Sequence, residues 1–230
     1  LLCLLMLPLL RLSGQETTYN SISEALRAPD DTMVKTLILD GQQLYTLPEE
    51  IRRFKNLERL SLYYNHLEKL PEWMSELQNL KFLSLAGNRF CSIPTVIYEL
   101  DKLEELRMNG NCMDTIFSGL KNMLGLRVLN ISDHNITNFP SDIFSLFNLA
   151  HLDMANGWLS DIPENISGLG QLNKIILGNN RLDYLPQGIY QLEKLEYLAL
   201  WKNQIRYISN DICQLSEIKY LALFDNKLTA

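Results

Sequence analysis

The sequence predicts an α/β solenoid, a stack of strand-and-turn units that repeat along the chain, and three observations predict it. A leucine-type residue opens a 23-residue unit nine times without an insertion. Apolar residues recur at the fourth, sixth and eleventh places counted from it, and the ninth place is Asn in six of the nine units. Register of this kind establishes repeat architecture before any local pattern is considered. The opening residues are Val34, Leu57, Leu80, Leu103, Leu126, Leu149, Leu172, Leu195 and Ile218.

Each unit is predicted to begin with a short strand. Apolar residues such as Leu60 and Leu62 occupy places four and six, while places three and five vary, and this alternation indicates a strand with one buried face. One strand per unit stacks into a parallel sheet, because an isolated unit cannot bury its apolar side. The side chains at places three, five, seven and eight are expected to line the exposed face of that sheet.

The Asn residues at place nine are predicted to form a ladder along the solenoid. An Asn amide both donates and accepts, so it can pair turn backbone groups that would otherwise be buried without a partner. His134 and Gly157 interrupt the ladder in repeats five and six. We expect His134 to make a similar bond and Gly157 to leave room for water; a kink or a ligand-adapted site is the alternative. The predicted ladder is Asn65, Asn88, Asn111, Asn180, Asn203 and Asn226.

The second half of each unit is predicted to form a short turn or helix on the opposite side. Pro at place fifteen, as in Pro48 and Pro186, fixes φ and prevents continuation of the strand. Apolar residues at places eighteen and twenty-one seat the segment on the core. Phe117 and Ser209 replace the Pro in repeats four and eight, so different shapes are expected there.

The consensus of these positions is L-x-x-L-x-L-x-x-N-x-L-x-x-L-P-x-x-I-x-x-L-x-x. The sequence therefore resembles the leucine-rich repeat in its 23-residue Leu-Pro form. It is similar to the repeats of bacterial secreted and surface proteins and of eukaryotic signalling scaffolds. The resemblance covers residues 34–230 as eight full repeats and a partial ninth. It implies a horseshoe with a parallel concave sheet and short helices, 3-10 turns or loops on the convex side. It implies no single function, because one fold hosts many functions.

The two ends depart from the repeat. Residues 1–14 are apolar for ten places, too short for a bilayer span of about 20 residues. They fit a signal-peptide core that lacks its basic start, with an apolar tail or a clipped membrane segment as the alternative. Residues 15–33 are predicted as an N-terminal helical cap, since Ser21 and Glu24 have capping-box spacing. No cap follows repeat nine, so the natural chain is expected to continue beyond Ala230.

Composition narrows the classes of function. The net charge of −6 over 230 residues argues against nucleic acid, whose phosphates attract a basic surface. For Cys91, Cys112 and Cys213 we expect three buried or half-buried thiols rather than a Cys91–Cys112 bridge. Extracellular animal and plant relatives usually carry paired-cysteine caps, and none is visible here. This favours a bacterial exported protein, with a cytosolic scaffold as the alternative.

No motif predicts catalysis, a metal site or a cofactor. The three histidines stand at unrelated places, and no pair of His or Cys residues has metal-ligand spacing. Cys112 and Asp114 resemble the Cys-x-Asp of bacterial ubiquitin ligases that carry leucine-rich repeats, but that motif belongs to a separate catalytic domain. We therefore predict that the chain is not an enzyme.

The exposed face of the predicted sheet carries aromatic side chains that the core does not require. One group is expected as a two-by-two cluster in repeats eight and nine, a second lies in repeats two and three, and a polar strip separates them. Aromatic residues flanked by Arg and Asp are typical of binding hot spots, although stacking among themselves or against further repeats is the alternative. The predicted binding residues are Tyr63, Tyr64, Phe82, Arg107, His151, Asp153, Lys174, Tyr197, Trp201, Tyr220 and Phe224.

Three hypotheses of function follow. The leading one is a non-catalytic recognition module, secreted or at the cell surface, that binds a protein, or alternatively a glycan, through the concave sheet. It uses no cofactor and no nucleic acid, and the mature chain has no integral membrane span. The second is the sensor segment of a larger signalling enzyme, a kinase or a GTPase, whose catalytic domain lies outside this chain. The third is a structural surface protein that self-associates through its uncapped C-terminal repeat.

Overall fold

The computed structural model describes residues 17–114 and 119–229. The predicted signal segment 1–14, Phe117 and Ala230 lie outside these described residues. Within the two ranges, none of the helices has both the length and the apolar character that crossing a membrane requires.

Ten strands form one open parallel sheet in which every strand pairs with its neighbours in the sequence. Leu60 lies beside Leu37 on one side and Leu83 on the other, so the register advances by one repeat per strand. Residues that share a place in the repeat therefore stand in a column across the sheet. The strands are β1 (Thr17–Tyr19), β2 (Val34–Ile38), β3 (Arg59–Ser61), β4 (Phe82–Ser84), β5 (Glu105–Arg107), β6 (Val128–Asn130), β7 (His151–Asp153), β8 (Lys174–Ile176), β9 (Tyr197–Ala199) and β10 (Tyr220–Ala222).

A 3-10 helix follows the strand in each of the eight full repeats and closes one hydrophobic core against the sheet. Pro71 adopts an extended backbone with φ of −74°, and its carbonyl accepts from the Met74 N–H, which begins the helix. We call this the convex side and the opposite face of the sheet the concave face. The helices are Glu49–Arg53, Glu72–Glu76, Thr95–Glu99, Leu120–Asn122, Ser141–Ser145, Glu164–Gly168, Gln187–Gln191 and Asn210–Gln214.

The two repeats without Pro at place fifteen behave differently from each other. In repeat eight the Ser209 hydroxyl accepts from the Asp211 N–H at 3.2 Å, and the helix Asn210–Gln214 has the usual five residues. The expected change of shape is therefore wrong for repeat eight, because a side-chain cap starts the helix where Pro is missing. In repeat four the helix Leu120–Asn122 is shorter, with three residues.

An α-helix, α1 (Ile22–Ala25), and a further 3-10 helix, Asp31–Met33, precede the repeats. Ser21 Oγ accepts from the Glu24 N–H at 3.1 Å, as capping-box spacing predicts, whereas Glu24 Oε2 accepts at 3.0 Å from the Asn20 N–H, one residue before the N-cap Ser21. Ala25 is fully buried. Sequence reasoning missed β1, which adds an edge strand beside β2 and is only three residues long.

The six Asn residues of the predicted ladder make the same three hydrogen bonds. Asn88 Oδ1 accepts from the Leu67 N–H at 3.0 Å, and Asn88 Nδ2 donates to the carbonyls of Leu62 at 2.9 Å and Leu85 at 3.0 Å. Each amide thus joins the turn of its own repeat to the turn of the repeat before it. Equivalent bonds are made by Asn65, Asn111, Asn180, Asn203 and Asn226.

One side chain bridges the interruption of this ladder. His134 Nδ1 accepts from the Ile136 N–H at 2.9 Å, and Nε2 lies 3.2 Å from the Met154 carbonyl, to which it donates. In the other repeats, the corresponding N–H and carbonyl pair with the ladder Asn. An Asn at position 157 would therefore use the Ile136 N–H and the Met154 carbonyl, the two groups that His134 now pairs with. A Cβ added at Gly157 would overlap the His134 ring. The expectation of a water at this point is therefore wrong, because the imidazole fills the space.

Stability is expected to depend on the protonation of His134. Burial lowers the pKa of His134 below its usual value of 6.5, against the opposing effects of the Met154 hydrogen bond and the Asp133 charge. The unfolded chain therefore binds this proton at a higher pH than the folded chain does. The free energy of unfolding should fall as the pH decreases below about 6.5.

Urea denaturation near pH 7.5 and near pH 5.5 measures this loss. The control is a variant in which Asn replaces both His134 and Gly157, because it keeps the hydrogen bonds without the titrating group. An equal decrease in the free energy of unfolding between the two pH values, in the wild type and in this variant, would refute a role for His134.

Cys91 and Cys112 form a disulfide between repeats three and four, with Cα atoms 4.6 Å apart. The expectation of free thiols is wrong for this pair. Place twelve of one repeat and place ten of the next meet outside the core, a proximity that spacing along the chain does not reveal. Cys213, the free cysteine of the described residues, is exposed rather than buried.

Candidate functional site

The predicted aromatic cluster of repeats eight and nine consists of two parallel pairs on the concave face. The rings of Tyr197 and Tyr220 stack with centroids 4.3 Å apart, and those of Trp201 and Phe224 lie parallel at 6.2 Å. Tyr197 and Trp201 are half-buried, whereas Tyr220 and Phe224 are exposed. The pairs follow from the columns, because equal places of neighbouring repeats are about 4.8 Å apart. Lys174 Nζ lies 4.9 Å from the Tyr197 ring centroid.

The faces of the Tyr197 and Trp201 rings are largely occupied by their neighbours. Tyr197 has Tyr220 on one face and the Lys174 ammonium towards the other, because its strand lies between theirs. Trp201 lies over Gly178, where an added Cβ would overlap the indole ring. Tyr197 and Trp201 therefore offer mainly ring edges to a ligand, whereas Tyr220 and Phe224 lie at the last strand and are exposed.

The N-terminal aromatic group is divided by the structure. The rings of Tyr63 and Tyr64 are 5.9 Å apart at their centroids, and both are exposed. Phe82 instead lies between two guanidinium groups, with Arg59 at 4.0 Å and Arg107 at 5.5 Å from its ring centroid. The expected cluster of three is therefore a tyrosine pair and an Arg–Phe–Arg stack, because Arg59 stands in the same column as Phe82.

The polar strip surrounds a shallow depression at the middle of the face. Its volume is about 200 Å³, and its wall includes Arg107, His151, Asp153 and Lys174. This volume is smaller than the roughly 300 to 1,000 Å³ of a small-molecule pocket. Burial raises the pKa of Asp153, while a hydrogen bond from the Ala155 N–H and the nearby Lys174 oppose that rise.

A larger groove of about 900 Å³ lies on the flank of the solenoid. Its wall contains none of the predicted site residues and is formed by polar side chains that bond one another, such as Lys194 with Gln171 at 2.7 Å. Across the described residues, no three His, Cys, Asp or Glu side chains are grouped to hold a metal ion. The concave face thus remains the better candidate for recognition.

Sequence reasoning missed one feature of this face, a left-handed backbone at place eight. In all nine repeats φ at this place lies between 52° and 67°. Seven of the residues are Gly, Asn or Asp, the types that accept this conformation, and that preference was the available signal. Tyr64 and Lys202 are the exceptions, and a left-handed backbone costs such residues about 1 to 2 kcal/mol. The column is Gly41, Tyr64, Gly87, Gly110, Asp133, Asn156, Asn179, Lys202 and Asp225.

Comparison with known families agrees with the repeat geometry. A family model described as a leucine-rich repeat region matches residues 32–132 and 108–228. The chain belongs to the leucine-rich repeat family. None of the curated proteins matches the sequence.

Several solved structures of leucine-rich repeat proteins share the fold of the present chain. A Leptospira interrogans leucine-rich repeat protein is 25% identical with a TM-score of 0.72, over 94% of this chain and 66% of the other. An internalin of Listeria monocytogenes is 20% identical with a TM-score of 0.69, over 92% of this chain and 66% of the other. The present chain thus spans less than two thirds of the length of either of these two relatives.

A plant structure is also similar to the present chain. It is the ectodomain of an Arabidopsis thaliana membrane receptor kinase, in complex with CASPARIAN STRIP INTEGRITY FACTOR 2. The identity is 26% and the TM-score 0.64, over 84% of this chain and 26% of the other. Leucine-rich repeat solenoids are typically protein-binding modules.

Proposed function

We propose that this chain is a non-catalytic protein-binding module, exported or at the cell surface, whose partner contacts the concave face. The observation that carries the proposal is the placement of exposed aromatic side chains at both ends of that face. Tyr63 and Tyr64 lie at one end, and Tyr220 and Phe224 at the other. Aromatic side chains are enriched at binding hot spots, because they bury a large area at a small cost in conformational entropy.

The comparisons support the proposal. The plant ectodomain is in complex with a partner, and the bacterial structures of the same fold include an internalin. Export is supported by the apolar start of the sequence. A protein is favoured over a glycan because the ring faces of Tyr197 and Trp201 are covered by their neighbours.

Replacing Trp201 and Tyr220 with Ala together is expected to weaken partner binding by at least about 30-fold, the loss that one strong hot spot represents. A partner isolated with the wild-type module as bait would be purified and its dissociation constant measured with each variant. The melting temperature should change little, because neither ring belongs to the buried core.

The matched control replaces Tyr45 and Tyr207, two tyrosines that are 63% and 65% exposed at places twelve and thirteen. Their loss should leave the dissociation constant within about twofold. Unchanged affinity in the Trp201 and Tyr220 variant, or an equal loss in the control, would count against the concave face.

The alternative function is the sensor segment of a larger signalling enzyme. It is favoured by the similarity to the ectodomain of a receptor kinase, of whose chain this sequence covers 26%. The sequence of the gene beyond residue 230 tests it directly, since a kinase or GTPase domain there would establish the alternative.

A further inference from the structure

Charged side chains alternate in sign along the flank of the solenoid where each repeat begins. Place two is basic in repeats one, three and five and acidic in repeats two and four. The Glu58 carboxylate lies 3.1 Å from Lys35 Nζ and 2.8 Å from Lys81 Nζ, so it pairs with both neighbouring repeats. We call this column the charge series. Its first five members are Lys35, Glu58, Lys81, Glu104 and Arg127.

The charge series is interrupted in repeats six and seven. Place two is Ala150 in repeat six and Asn173 in repeat seven. The charges resume in repeats eight and nine with Glu196 and Lys219, whose side chains pair at 2.9 Å. The alternation keeps its phase across the gap, because Arg127 before it is basic and Glu196 after it is acidic. One acidic group in repeat six and one basic group in repeat seven would therefore complete the series.

The flank groove of about 900 Å³ lies at this gap. Ala150 and Asn173 line it together with Arg127 and Glu196, the charges on either side. Within residues 17–114 and 119–229, nothing forms an ion pair or hydrogen bond with the Arg127 guanidinium or the Asn173 side-chain amide. Glu196 pairs with one neighbour, whereas Glu58 at the same place pairs with two. The groove thus offers one positive and one negative group that can each accept a further partner.

Short residues in repeat six keep the surroundings of the groove open. A Cβ added at Gly168 or at Gly170 would meet no atom within 4 Å, and neither residue has a positive φ. Packing and backbone conformation therefore do not require glycine at these places, which hold larger residues in the other full repeats. Gly168 lines a depression of about 490 Å³ that shares Glu193 and Gln214 with the groove. The opening thus continues from the flank towards the convex side.

We propose that the flank groove is a second interaction surface, separate from the concave face, and that it binds a polypeptide segment of a partner through one acidic and one basic side chain. The acidic group pairs with Arg127 and the basic group with Glu196, so the partner completes the charge series. Three strand spacings, about 14 Å, separate these two residues, which leaves about 5 Å between the bound charges.

This separation specifies the partner segment. Side chains about 5 to 6 Å apart are residues i and i+4 of a helix, and those about 7 Å apart are residues i and i+2 of a strand. The segment therefore carries its acidic and basic residues two to four positions apart. A phosphate-rich ligand is disfavoured, because Glu193, Glu196 and Glu217 also line the groove.

Filling the gap with residues of the chain itself tests the proposal. In a variant with both Ala150→Glu and Asn173→Lys, the charge series continues in the order that Glu58 and Lys81 show in repeats two and three. The fold accepts this filled variant, because both residue types already occupy place two in other repeats. Its melting temperature should be unchanged or higher by up to about 4 °C, as expected for exposed ion pairs.

The probe is a phage-displayed library of random peptides of about twelve residues. It would be depleted on the filled variant and then enriched on the wild-type protein. We expect the enriched peptides to carry the acidic and basic pair, and to bind the filled variant at least about tenfold more weakly than the wild type. The matched control combines Thr137→Glu with Ser160→Lys, at exposed residues of place twelve outside the groove, and should bind within about twofold of the wild type.

Reversal of one charge provides a second readout. Arg127→Glu should weaken the binding of these peptides at least about fivefold, and exchange of the acidic peptide residue for Lys should recover that loss. Recovery by the exchanged peptide distinguishes a direct charge contact from a change in the fold. Lys35→Glu, at the same place of repeat one and outside the groove, should alter the affinity by less than about twofold.

The outcomes separate this inference from the proposed function. Replacing Trp201 and Tyr220 with Ala should leave the affinity of these peptides within about twofold, because both rings lie on the concave face. Loss of binding in that variant, with no recovery by the exchanged peptide at Arg127→Glu, would place the peptides on the concave face and overturn the flank site. A library without any peptide that survives the depletion would also overturn it, and the proposed function would keep its own partner experiment.

Discussion

Replacing Gly157 with Asn is expected to destabilise the protein by about 2 to 4 kcal/mol, although Asn is the usual ladder residue at this place. The space for an Asn side chain is filled by the His134 ring. The hydrogen bonds that the new amide would make already belong to that ring, which pairs with the Ile136 N–H and the Met154 carbonyl. The substitution therefore displaces the imidazole and leaves its polar atoms buried without their partners.

The same substitution is expected to be favourable once His134 is Asn. The double variant restores the amide pattern seen at Asn111 and Asn180, so its stability should return to within about 1 kcal/mol of the wild type. His134→Asn alone should cost about 1 to 3 kcal/mol, because the Ile136 N–H loses its acceptor.

Urea unfolding of the four proteins measures the coupling free energy between the two sites as a double-mutant cycle. A double variant whose loss equals the sum of the two single losses would show that His134 does not replace the missing Asn.

Asn180→Ala is expected to be the next largest loss, about 1 to 3 kcal/mol. Asn180 is buried, and its removal leaves the Leu159 N–H without its acceptor, whereas the Leu177 carbonyl keeps its hydrogen bond from Asn203 Nδ2. Water cannot reach the Leu159 N–H without opening the turn, so its desolvation is uncompensated. Thermal and urea unfolding of the variant measure the effect.

Asn226→Ala is the matched comparison for the ladder. Asn226 makes the same three types of bond but is only partly buried, so water can replace the lost amide and about 0.5 to 1.5 kcal/mol is expected. Equal losses at the two positions would mean that burial does not set the strength of the ladder.

The solenoid and its register were predictable because the core imposes the same residue types at fixed places. Leu at places four and six must face inward, so one repeat determines the orientation of all the others. The stacked pairs Tyr197–Tyr220 and Trp201–Phe224 follow from the same columns. The left-handed place eight was also readable, because Gly, Asn and Asp recur there.

Features that depend on contact between different places of adjacent repeats were not predictable. The Cys91–Cys112 bridge joins place twelve of repeat three to place ten of repeat four. A period aligns equal places, but it does not show which unequal places face each other. The contacts of His134 with Gly157 and of Arg59 with Phe82 join equal places instead, so the period aligned these residues, while the size and orientation of their side chains decided the contacts.

The bridge between Cys91 and Cys112 has a consequence for how the array comes apart. In a linear array each repeat is held by its two neighbours, so unzipping from one end proceeds boundary by boundary. A disulfide at the boundary of repeats three and four reduces the entropy of the unfolded chain and so stabilises this boundary under oxidising conditions. Repeats three and four are then expected to separate last, and a reducing environment removes this stabilisation.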